Sequence, residues 1–219
     1  MKTTAERKRE ITRSKALVHM LRDRIGETSV YGFAGRYDGL MQGTSNTQES
    51  KKWRPVFSGK QPLSTRALAS LSELFPDAPQ LHQDGPANLW RAMWGTLEES
   101  RVVVADDLNA WQSFDVALAE FEADLLLAES YGAPLTLQHL AKAVALHRLH
   151  HDLLGLGGAG TCRCVRRCVD DENVQAALRR IAVLDDVRAN LAAIASNPLA
   201  GIPADQRWDV LETKLGWIS

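Results

Sequence analysis

The chain has 219 residues, of which 45% are apolar and 24% charged, and its formal net charge is −1. That length and composition suit a soluble globular protein with a real core, built as one generous domain or two small ones. No apolar run reaches the roughly 18 to 20 residues that span a bilayer, and the first fifteen residues lack the apolar centre of a secretory signal. A cytoplasmic protein with no membrane partner is therefore expected.

The small net charge conceals a division. Residues 1–66 hold 14 Lys and Arg against 6 Asp and Glu, a net +8, and the rest of the chain holds 12 against 21, a net −9. An asymmetry of this kind points to a nucleic acid or another acidic surface at the basic end. A basic tail resting on the chain's own acidic half, or on a partner subunit, is the plainer alternative.

From Thr4 to Ile25 the spacing predicts a helix, with Ile11, Ala16, Leu17, Met20, Leu21 and Ile25 on its apolar face and Gly26 as its stop. Arg7, Lys8, Arg9 and Arg13 fall on its early, basic part. A short helix over Val30 to Met41 is weakened by its glycines. A polar loop follows from Gln42 to Thr47. Ser45, Asn46 or Thr47 can then cap a helix beginning at Gln48. Pro55 makes that helix start late or bend.

The pattern Trp53-x5-Gly59-x3-Leu63-Ser64-x3-Leu68-x2-Leu71 resembles the repressor-type helix-turn-helix family related to phage Cro, over roughly residues 46–75. The resemblance implies a recognition helix that enters the major groove of duplex DNA. It would place Gln48, Lys51, Lys52 and Arg54 on the groove-facing helix and Lys60 and Arg66 near the phosphates. Gln can reach an adenine edge, and Lys and Arg serve guanine or phosphate. The bland reading makes Trp53 and Phe57 core anchors and the lysines a solvated face. Trp53 is expected in the core either way.

Thr65 to Phe75 reads as a helix buried through Ala67, Leu68, Leu71, Leu74 and Phe75, and ended by Pro76 and Pro79. Gly85-Pro86 opens a helix from Ala87 to Leu97, with Trp90 and Trp94 on one face. Arg101 to Ala105 is a linker or a helix start. Asp106-Asp107 caps a long helix from Leu108 to Tyr131, broken by Gly132-Ala133-Pro134. Thr136 caps the next, to about Leu154, and the two are expected to form an antiparallel hairpin. Gly155 to Gly160 reads as a flexible break. Helices from Asp171 to Ser196 and from Ala204 to Trp217 complete the chain.

All three cysteines lie in Cys162-Arg163-Cys164-Val165-Arg166-Arg167-Cys168, just after His147, His150 and His151. His147 and His151 share a helix side, and flexible glycines could bring Cys162 and Cys164 to them, which would supply the four ligands of a structural zinc site. Two other readings stand beside it. One is a redox-sensitive cluster whose thiolates the arginines favour, and the other is three plain reduced thiols.

No nucleophile–base set, paired-carboxylate site or phosphate loop stands out, so an enzyme is not expected and no catalytic residue is assigned. The fold expected is all-α: a helix-turn-helix-like N-terminal domain over residues 1–100, then an antiparallel helical bundle over 101–219. The function expected is a DNA-binding regulator of transcription or accessory protein, with a C-terminal half that forms a homodimer or other oligomer or binds a partner. The alternative is a helical protein-interaction module without nucleic-acid binding.

Overall fold

The computed structural model describes residues 3–42, 45–104, 114–154 and 159–194. The described elements are helical, with no strand among them. They divide into two compact units. The first comprises residues 1–86 with 178–186, and the second 87–177 with 187–219. The sequence placed its single boundary near residue 100; the chain instead passes from one unit to the other after Pro86, and again within each of the last two described helices.

Unit 1 is built from α1 (Thr4–Arg24), α2 (Val30–Leu40), the four-residue α3 (Arg54–Phe57), α4 (Thr65–Leu74) and α5 (Ala78–Asp84). Polar side chains start the longer ones. Thr3 and Glu6 form a reciprocal capping box at α1, Ser29 caps α2 and Ser64 caps α4, each satisfying amide groups that a helix end leaves open. The core joins Leu17, Val18 and Leu21 of α1 to Phe33 and Tyr37 of α2, then to Trp53, Phe57, Leu71 and Phe75. Phe33, Tyr37, Trp53 and Phe57 meet edge to face in three of their contacts, the arrangement that aromatic quadrupoles prefer. Trp53 is buried in this core, as its sequence context predicted.

In unit 2, α9 (Leu137–Leu154) is the central element, with α6 (Leu89–Trp94), α7 (Leu97–Val103) and α10 (Ala159–Asp170) packed on it and α8 (Phe114–Ser130) touching it. Leu140, Ala141, Val144, Ala145 and Leu149 carry the buried side of α9. Arg148 ties the short helices to it: its guanidinium donates to the carbonyls of Ala92 at 2.8 Å and Gly95 at 2.7 Å, and to the Ser100 hydroxyl at 3.1 Å. Trp90 and Trp94 stack at 4.8 Å, and Trp94 donates to Asn190. The last described helices, α11 (Glu172–Arg180) and α12 (Leu184–Ile194), each contribute to both units.

Several boundaries depart from the sequence reading, each for a local reason. Pro79 begins a helix instead of ending one, because proline fits the first turn, where no amide partner is lost. The helix expected from Ala87 to Leu97 is cut by left-handed Ala87 and Asn88 and by Gly95, and Thr96 starts α7 with its own capping box. The long helix expected from Asp171 to Ser196 is two, separated at Ala182 with φ +60°. The glycine run does not leave the cysteines on a flexible loop, since α10 already begins at Ala159. The starts proposed at Asp106 and Leu108, and the helix from Ala204 to Trp217, lie outside the described residues.

Candidate nucleic-acid interface

The segment assigned to a groove-facing helix is not helical. Residues 47–53 form successive turns, Lys51 sits in the left-handed region at φ +54°, and α3 begins only at Arg54. A carboxylate organises these turns. Asp38, near the end of α2, accepts the Thr47 amide at 2.9 Å, the Thr47 hydroxyl at 2.8 Å and the Gln48 amide at 2.8 Å. The Thr47 oxygen in turn accepts the indole N–H of Trp53 at 2.9 Å. Partial burial pushes the Asp38 carboxyl up, but these donors outweigh it and hold it below the usual carboxylate range. Anchoring the loop to Asp38 satisfies its first two amides without a helix.

Gln48 therefore stands on a turn and not on a helix. Its side chain lies over α2, where a Cβ at Gly35 would come within 2.5 Å of Nε2, and that nitrogen donates to the Tyr31 carbonyl at 3.3 Å. The groove-facing helix that the family resemblance implied for Gln48, Lys51 and Lys52 is thus corrected to a series of turns.

The basic residues separate into two classes. One class is paired within unit 1: Arg13 with Glu10, Lys15 with Asp186 at 2.6 Å, Arg22 and Arg180 with Asp23, and Arg24 with both carboxylate oxygens of Asp77. The Arg24 hydrogen bonds hold the Asp77 carboxyl low, and those of Arg22 and Arg180 hold Asp23 low against the opposing push of its burial. The other class is exposed and has no acidic partner among the described residues: Arg7, Lys8, Lys51, Lys52, Arg54, Lys60 and Arg66. Arg36, which the sequence reading passed over, joins them, and Arg9 is also exposed.

Local geometry brings part of this class together. The end of α3 closes through Gly59 at φ +69°, with the Lys60 amide reaching the Pro55 carbonyl at 2.8 Å, a helix stop that favours glycine. His19 lies 3.3 Å from the Phe57 carbonyl, and Gly59 lies against Ile11 and Lys15, so close that a Cβ there would stand 3.2 Å from Lys15. Residues 8, 11, 15 and 19 share one stripe of a helix. Gly59, the residue before Lys60, therefore packs on the stripe of α1 that also holds residue 8.

By unit, the count is 16 Lys and Arg against 11 Asp and Glu in unit 1, and 10 against 16 in unit 2. The charge division thus follows the compact units and not only the order of the chain.

The proposed zinc ligands are placed as follows. His147 is buried in unit 2, with Nδ1 at 2.9 Å from the Thr161 hydroxyl and Nε2 at 3.2 Å from the Ile194 carbonyl, so both ring nitrogens are engaged. Cys162 and Cys164 are two residues apart on α10, which sends them to different sides of the helix. The side chain of His151 lies outside the described residues. Among the described residues no group of three or more His, Cys, Asp or Glu converges as a metal site would.

The thiols also differ from the redox reading. Burial and the neighbouring Glu122 carboxylate push Cys164 up to about 11, and burial with Cys164 beside it pushes Cys168 up to about 12. The adjacent arginines oppose these effects without overcoming them, so neither group is a thiolate at neutral pH.

Comparison with protein-family models, curated proteins and solved structures finds no match to this chain. The described class is an all-helical protein of two units, in which no described helix is long and apolar enough to cross a membrane.

Proposed function

We propose that unit 1 binds duplex DNA through its phosphates, and that the protein is a regulatory or accessory DNA-binding protein rather than an enzyme. One observation carries the reading: acidic residues of unit 1 pair with one set of cations, and a second, exposed set is left without them. Unpaired cations on a net-positive unit repel each other and destabilise it, a cost that a polyanion offsets by releasing its counterions.

The arrangement favours contact with the backbone over base readout. Gln48 is turned onto α2, and apart from Arg36 within α2 the exposed cations stand on turns, on helix ends and on the first turns of α1. Phosphate contacts of this kind position a protein on duplex DNA and carry little sequence information. The binding proposed is therefore strong in its salt dependence and weak in its sequence preference.

Replacing Arg7, Lys8 and Lys60 with Gln, and separately Lys51, Lys52 and Arg54, tests this. Each triple variant is expected to lower the salt slope of binding by about one for every phosphate that is no longer neutralised, and both are expected to keep the wild-type circular dichroism spectrum. Undiminished affinity in both variants would sink the assignment. A second reading, a helical protein-interaction module, is favoured by one feature of unit 2, the apolar outer face of α8.

A further inference from the structure

Helix α8 is apolar on two sides. Ala117, Phe121 and Leu125 are buried. On the opposite side Val116, Ala119, Ala123, Leu126 and Ser130 are exposed, with Leu127 beside them. Val116 is 43% exposed, Leu126 56% and Leu127 52%. At about 100° per residue these six positions fill one continuous face with no charge in it. A surface helix that meets only water carries polar residues there. The spacing 116, 119, 123, 126, 130 alternates three and four, which is the seam of a coiled coil. Alanine at its two central positions lets a second helix axis come close.

The charges beside the seam identify what covers it. Helix α8 carries five carboxylates and no Lys or Arg. One flank is acidic, with Glu120 and Asp124. The other carries Glu122 and Glu129, each neutralised by an arginine of α10: Arg163 lies 3.5 Å from Glu122 with its side chain 77% exposed, and Arg167 donates to the Leu125 carbonyl at 3.0 Å and to Glu129. Between α8 and α10 opens a cleft of about 350 Å³, lined by Glu122, Leu125, Leu126, Arg163, Cys164 and Arg167.

A two-fold axis along the helices sets each flank against the opposite flank of the other copy. A perpendicular axis sets like against like. The first sets Glu120 and Asp124 against the flank that the arginines neutralise instead of against each other, with Arg163 level with Glu120 and Asp124 of the second copy and Leu127 of the second copy facing the cleft. We propose that α8 is a self-association seam, on which two copies of this chain pair with their α8 helices parallel and in register. This does not rest on the DNA reading, and the two stand or fall separately.

Sedimentation equilibrium of the full chain, up to about 100 µM, tests it together with two variants at exposed positions. The wild type is expected to show a monomer–dimer equilibrium, and Ala123→Glu to weaken it at least tenfold with an unchanged circular dichroism spectrum. Ala119→Cys is expected to cross-link the dimer on mild oxidation, because in-register parallel helices bring the two 119 positions face to face. A chain that stays monomeric at that concentration overturns the proposal and leaves the face to a different protein. A dimer indifferent to Ala123→Glu, or one that Ala119→Cys fails to cross-link, overturns it as well.

Discussion

His147 and Thr161 are joined inside unit 2 by a contact of 2.9 Å between the imidazole Nδ1 and the hydroxyl, which ties α9 to the first turn of α10. Because Nε2 faces the Ile194 carbonyl, it carries the ring proton, and Nδ1 accepts from Thr161. Replacing His147 with Ala removes both of these hydrogen bonds and opens a cavity. The expected loss is about 2–4 kcal/mol in urea unfolding. With both nitrogens engaged, adding zinc or a chelator is expected to leave the midpoint of the wild type unchanged.

The clasp at Asp38 has a pH signature. Its carboxyl is held below the usual 3.8 by the donors from Thr47 and Gln48. A group whose folded value is depressed contributes its stability in full above the unfolded value. That contribution is lost as the pH falls through the folded value. Asp38→Ala should destabilise unit 1 by about 1–3 kcal/mol at neutral pH. It should also flatten the loss of stability below about pH 4. A variant whose acid unfolding runs parallel to that of the wild type would show that the clasp is not formed in solution.

The thiols give a chemical check. Cys162, Cys164 and Cys168 are buried, and the last two are protonated at neutral pH. Alkylation at about pH 7 is expected to be slow in the native protein and to label all three cysteines once the chain is unfolded. Rapid native labelling at Cys164 would contradict the burial and the carboxylate neighbour on which this rests.

What the sequence disclosed, and what it hid, follow from the range of the forces involved. Periodicity located α1, α4 and α9, because one apolar face and a nearby cap suffice to define a helix: Thr3 and Ser64 stand where their hydroxyls are needed. Short elements resisted. Residues 48–53 read as helix because Ser45, Asn46 or Thr47 could cap it. The group that decides their structure is Asp38, nine residues upstream of Thr47, which fastens the amides into turns. Arg148 escaped notice altogether. As an isolated cation on a largely apolar helix it carried no motif, yet it satisfies three acceptors from residues 48 to 56 positions away. The uneven charge was visible from composition. Which cations are neutralised was not, since Lys15 meets Asp186 only through the fold.

Binding of the full chain to labelled random duplex DNA, measured across a salt series, tests the central claim most directly. Six to ten phosphate contacts predict an affinity that falls roughly a thousandfold or more between about 50 and 200 mM salt, along a straight line of log affinity against log salt and with little dependence on the DNA sequence. Absence of binding at the lowest salt, or an affinity that does not change with salt, would contradict the account.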